Sequence, residues 1–169
     1  GYVWMGTNTS VERFDGIRLE HYMVEGSNEN LKRVFALVEM PDNELWVGTG
    51  MGLFRLADDA EKLERLAPEM ITSGVHAFCK LGDVLYVGTE KGLYVYKGGV
   101  FEHVLVDKNV FSRANFVTGM VEGENGILWL STMGGLKSFR LSDQTITSFS
   151  DKLAKNGQNL SFYNITRIG

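Results

Sequence analysis

Asp42-Asn43-Glu44-Leu45-Trp46-Val47-Gly48-Thr49-Gly50-Met51-Gly52-Leu53 is the stretch on which the reading of this chain turns. Its centre recurs without gaps as Val3-Trp4-Met5-Gly6-Thr7, Leu85-Tyr86-Val87-Gly88-Thr89 and Leu128-Trp129-Leu130-Ser131-Thr132. The aromatic positions Trp4, Trp46, Tyr86 and Trp129 lie 42, 40 and 43 residues apart. So even a period marks stacked units, each too small to bury its apolar face alone.

Working outward, every copy has the same plan. An apolar run precedes the motif at 34–38, 75–79 and 116–121, and the motif itself is a second strand. A third alternating run follows at 11–14, 53–56, 93–96 and 136–139, and a fourth at 17–22, 62–66, 100–104 and 145–149. Gly52, Gly92 and Gly135 recur at the turn before the third run, where the backbone needs positive φ. Ser10 stands there in the first copy, so Asn8 is expected to carry the unusual angle instead. Asp15-Gly16 and Gly98-Gly99 are two-residue hairpin signals.

Four antiparallel strands, A to D, in about 42 residues make one propeller blade. The expected fold is therefore all-β: a β-propeller of four blades of four antiparallel strands, part of a larger propeller of seven or more blades. A single partial domain is expected, with blades at 1–27 (strands B to D only), 28–69, 70–111 and 112–160. Residues 161–169 would add strand A of the next or closing blade. The chain has no initiator Met and opens directly in Gly1-Tyr2-Val3-Trp4, which reads as a piece of a longer protein. Open blade edges are expected to drive self-association. The run 60–66 holds good helix formers, but the repeat phase places strand D there and outweighs local propensity.

Composition narrows the function. Glycine numbers 20 against 2 prolines, as a turn-rich chain requires. The net charge of −4 and the lack of a basic run argue against a nucleic-acid surface. Cys79 is alone, so there is neither a disulfide nor a CxxC metal site. His21 and His103 hold equivalent outer-strand positions and fall blades apart, while His76 lies on an inner strand without an adjacent ligand partner. No HExxH, GxSxG, Walker loop or dinucleotide fingerprint occurs, so no catalytic residue, cofactor or metal is expected. Trp4, Trp46, Tyr86 and Trp129 read as packing between adjacent blades rather than as a sugar-stacking platform.

The pattern D-x-x-L-W-V-G-T-x-x-G-L resembles the two-component regulator propeller repeat. It stands in full at 42–53, similarly in Glu124-Asn125-Gly126-Ile127-Leu128-Trp129-Leu130-Ser131-Thr132, and with Tyr86 for Trp in the third copy. That resemblance implies the periplasmic sensor region of a hybrid two-component histidine kinase and response regulator from a Bacteroides-like bacterium. Such a region would detect an oligosaccharide or other small extracellular ligand and lead to induction of glycan-degradation genes. Its further partners would be the remaining blades of the parent chain, with no membrane contact by this part. No kinase or regulator module lies within these residues.

In such blades the B–C and D–A loops emerge on one face, where a rigid scaffold presents binding groups. Asn8, Met51, Glu90, Lys91 and Met133 are the candidates from the B–C loops. Asn28, Asn30, Lys32, Asn109, Arg113, Asn115 and Asn159 are those from the D–A loops. Amides and cations suit sugar hydroxyls or a uronic-acid carboxylate. The plainer alternative is that asparagine makes turns. Two other functions stay open: a protein-interaction scaffold without small ligand, and a propeller polysaccharide lyase or glycosidase. The latter needs convergent acid and base groups, for which the sequence offers no cluster.

Overall fold

The computed structural model describes residues 1–24, 31–153 and 160–168. β1 (Val3–Gly6), β2 (Val11–Phe14) and β3 (Leu19–Tyr22) form a three-stranded antiparallel meander. β4 (Val34–Glu39), β5 (Leu45–Thr49), β6 (Gly52–Leu56) and β7 (Glu64–Arg65) form a four-stranded one. β8 (Val75–Leu81), β9 (Val84–Thr89), β10 (Gly92–Lys97) and β11 (Val100–Val104) repeat the plan. So do β12 (Val117–Glu122), β13 (Ile127–Thr132), β14 (Gly135–Arg140) and β15 (Ile146–Ser148). The helical elements among the described residues are short: two three-residue 3-10 turns and the single turn α1 (Ser150–Leu153). The chain is thus all-β and built of propeller blades, the first without its inner strand.

Two compact units divide it, Gly1–Val75 and His76–Gly169. In the first, Leu45, Val47, Phe54 and Leu56 cluster with Val11 and Tyr22 of the first sheet, Trp4 packing alongside. In the second, Leu128, Leu130 and Phe139 cluster with Tyr86 and Leu93. Alternation along each strand produces these faces, since neighbouring side chains point to opposite sides. Burying such leucine, valine and phenylalanine side chains contributes roughly 1.5–3 kcal/mol each. Val3, Met5, Phe14 and Leu19 stay exposed on the first sheet.

The motif's small residue has a packing reason. A Cβ at Gly88 would stand 2.8 Å from Val117 Cγ1 of the next blade's inner strand. Gly6 meets Val34 in the same way. The motif's threonine locks the following turn. The hydroxyls of Thr49, Thr89 and Thr132 donate to the carbonyls of Gly52, Gly92 and Gly135 at 3.0, 2.9 and 2.6 Å. The same oxygens accept from the N–H groups of Met51, Lys91 and Gly134. Gly52, Gly92 and Gly135 do take positive φ, at 124°, 129° and 104°.

Three expectations need correction or qualification. Asn8 is not in the positive-φ region; instead Thr7 closes the first turn by accepting from the N–H groups of Thr9 and Ser10 at 3.1 and 3.0 Å. The run 60–66 is not helical, as the repeat required, but its strand shrinks to Glu64–Arg65. Residues 160–168 form no strand. The Phe162 N–H nevertheless donates to Thr132 O at 3.0 Å, as the Val34 N–H donates to Thr7 O at 2.8 Å. The segment takes the inner-strand position beside the fourth blade, but no second strand lies along it to complete a ladder.

Candidate functional site

In the second unit the face of B–C and D–A loops is one connected set of contacts. The His76 imidazole donates from Nε2 to Glu90 Oε1 at 3.1 Å, and its ring lies 4.7 Å from that of Phe116. The Met133 N–H donates to Phe116 O, the Ser161 hydroxyl to Met133 O, and Arg113 Nη2 to Ser161 Oγ. Glu90, Met133 and Arg113 are therefore linked through His76, Phe116 and Ser161. Lys91 gives its carbonyl to His103 Nε2 at 2.8 Å, and the His103 ring stacks on Tyr94.

The asparagines on this face do a different job from the one expected. Asn115 is buried; its Oδ1 accepts from the Asp107 N–H, while Nδ2 donates to the carbonyls of Asp107 and Asn109. Asn109 Oδ1 accepts from the Phe111 N–H. The Asn115 amide is consumed inside the loop, and the Asn109 oxygen closes a turn within it. Asp107 adds bonds from the Asn109 N–H and the Ser112 hydroxyl. Those donors hold its carboxyl below the usual carboxylate range, with Lys137 contributing a smaller field. The loop so braced leaves Val110 and Phe111 59% and 92% exposed.

In the first unit, Asn8 O accepts from the Arg33 N–H, and the Gly50 N–H donates to Arg33 O. Asn8 and the Lys32–Arg33 pair thus meet at the B–C turn beside Met51. Asn8 and Lys32 are exposed, whereas Met51 packs half-buried on the core. Asn28, Asn30 and Asn159 lie outside the described residues.

A groove that the sequence reading did not assign lies at the other end of these blades. About 400 Å³ in volume, it is lined by Trp4, Tyr22, Leu45 and Leu56. Asp58, Asp59 and Glu61 at the β6–β7 turn also line it. The Trp4 and Tyr22 rings are 5.4 Å apart. The Arg13 guanidinium lies 4.5 Å from the Tyr2 ring and 5.6 Å from those of Trp4 and Tyr22. Arg13 Nε and the Tyr22 hydroxyl both donate to Glu20 Oε2, which lowers the Glu20 pKa and raises that of Arg13. The convergence of Asp58, Asp59 and Glu61 on Trp4 was not legible in the sequence.

The repeat aromatics divide. Trp46 is buried, its Nε1 donating to Glu44 of its own blade, and Tyr86 meets Phe139 of the next blade at 6.0 Å. Trp4 walls the groove just described. Trp129 walls an open cavity of about 570 Å³ with Val121, Ile127 and Ile165. Burial pushes the Cys79 thiol up, which suits an inert structural cysteine. Among the described residues no three His, Cys, Asp or Glu side chains converge to hold a metal ion. No helix there is long and apolar enough to cross a membrane.

These sheets define the class of protein: four consecutive β-propeller blades. No family model matches the chain, and no curated protein matches it. Among solved structures, it is similar to the extracellular domain of a Bacteroides thetaiotaomicron protein described as a one-component system. That match has a TM-score of 0.78 at 21% identity over 96% of this chain and 22% of that one. It is similar also to the extracellular domain of a protein from the same organism described as a hybrid two-component system. Here the TM-score is 0.71 at 21% identity over 88% of this chain and 23% of that one. An ancestral GH74 enzyme matches at TM-score 0.66 and 18% identity, over 86% of this chain and 22% of the enzyme. The chain spans about a fifth of each of these proteins, and likeness at such identity establishes the fold. The first two are the kind of protein that the repeat motif resembles.

Proposed function

We propose that this chain is a ligand-sensing, non-enzymatic part of the extracytoplasmic propeller of a two-component sensor, located in the periplasm. Its signal would be an oligosaccharide that leads to induction of glycan-degradation genes. The observation that carries this reading is the joined loop face of the second unit. There Glu90 bonds to His76, His76 packs on Phe116, and Met133, Ser161 and Arg113 continue the chain of contacts. Carboxylate, guanidinium and aromatic faces together can engage sugar hydroxyls and ring C–H groups. The likeness to extracellular domains of one- and two-component systems supports the same reading. Lys91 on that face, and Asn8 and Lys32 on the loops of the first unit, remain candidates.

An enzymatic reading would have the GH74 likeness in its favour. A glycosidase needs one carboxyl group held protonated near neutrality. Among the described residues, the carboxyl groups with displaced titration, Asp15, Glu20, Asp107 and Asp143, are held down instead.

The test is a thermal-shift titration of the chain against neutral and acidic oligosaccharides, with Arg113→Ala and Glu90→Gln alongside. A ligand at 100 times its dissociation constant adds about 2.7 kcal/mol of stability. A shift with one glycan class, lost in both variants, is the expected result. No shift with any glycan would transfer the proposal to a protein-interaction scaffold, and product release would revive the enzyme.

A further inference from the structure

Phe111 is 92% exposed on a loop whose conformation is fixed from within. Asn115, Asp107 and Asn109 hold the loop by side-chain bonds. The backbone adds Ser112 N–H to Asn109 O and Asn115 N–H to Ser112 O. Such an aromatic has little ordering entropy left to lose on contact, which is the property of an interface anchor. Val110 beside it is also exposed, and the exposed charges flanking the pair, Lys108 and Arg113, are both positive.

The first unit carries the complementary shape and charge. Its groove has an aromatic and aliphatic floor in Trp4, Tyr22, Leu45 and Leu56, and an acidic rim in Asp58, Asp59 and Glu61. Asp58, Asp59 and Glu61 are exposed, and about 400 Å³ is room for a phenyl ring and its neighbour. On its wall the Arg13 guanidinium is already held by Glu20, and His21 lies against Glu12. An apolar tip between two positive charges therefore meets an apolar floor under a negative rim.

We infer that the Phe111 loop of one molecule docks into the Trp4 groove of a second copy of this chain. The contact is heterologous, since loop and groove are different surfaces. It does not involve the open blade edges and does not depend on a sugar ligand. One loop in one groove is a small interface, so the association is weak, reversible and salt-sensitive.

Sedimentation velocity of the whole chain over a wide concentration range tests this, with circular dichroism confirming that each variant folds. The wild type is expected to self-associate at low salt. Phe111→Ser, which spoils the loop, and Asp58→Lys/Glu61→Lys, which spoils the groove, should each lower the association constant at least about tenfold. An equimolar mixture of the two variants should regain one-to-one association, because an intact loop then faces an intact groove. A monomeric wild type, undiminished association of Phe111→Ser, or a mixture no better than its components would each overturn the inference. The second of those outcomes is what pairing through blade edges would give.

Discussion

Val117 of β12 rests on Gly88 of β9, so close that a Cβ on the glycine would stand 2.8 Å from the valine's Cγ1. Gly88 has ordinary φ, unlike the turn glycines, so the demand here is for space alone. Gly88→Ala is expected to destabilise the second unit by about 1–3 kcal/mol through overpacking. Adding Val117→Ala should cost less than the sum of the two changes, because the smaller side chain vacates the overlap. Urea unfolding of both single variants and the double one measures this; strict additivity would refute the contact.

The threonine locks call for a separate comparison. Thr132→Val keeps the shape but removes one donor and one acceptor from a buried turn. A loss of about 1–3 kcal/mol is expected, with Thr132→Ser losing clearly less. Equal losses would mean that the methyl group, not the hydroxyl, matters.

Asn115→Ala removes three hydrogen bonds at a fully enclosed position. The expected cost is roughly 2–4 kcal/mol, concentrated in the loop between β11 and β12. Amide exchange should accelerate at Asp107, Phe111 and Ser112 before it does in β9 or β13. Uniform acceleration throughout the second unit would contradict a local brace.

Acid should open that loop early. The Asp107 carboxyl is held below its ordinary value by the Asn109 N–H and the Ser112 hydroxyl. Its contribution is therefore complete above the unfolded pKa, about 3.9, and is lost as pH falls through the lower folded value. Loop protection, read by exchange or Phe111 ring signals, should decline between roughly pH 5 and pH 2. Asp107→Asn should flatten that decline, and an unchanged profile would assign the acid sensitivity to another group.

The reach of sequence reasoning follows from which interactions repeat. The motif's glycine and threonine recur because the blades meet the same local demands: a gap for the next inner strand at Gly6 and Gly88, and a hydroxyl for the turn at Thr49, Thr89 and Thr132. Repetition also settled 60–66 against its helical composition, since pairing with β6 outweighs the propensity of a few residues. Ser10 misled because Thr7 can close a turn by side-chain bonds without a positive φ. Asn109 and Asn115 looked alike on a loop; only their surroundings show that Asn115 is buried with its amide satisfied while Asn109 is exposed and closes a turn through its oxygen.

By itself, then, the sequence determined the blade, its strand order and its glycine turns, because those depend on contacts within a single period of the repeat. Tertiary structure alone decided which polar groups remain free for a partner. Asn115 is spent on its own loop, Glu90 is bonded to His76 across two strands, and the carboxylates of the β6–β7 turn converge on Trp4 from another blade. The physical reason is that hydrogen-bond satisfaction and groove shape depend on residues distant in the chain, whose meeting no local pattern records.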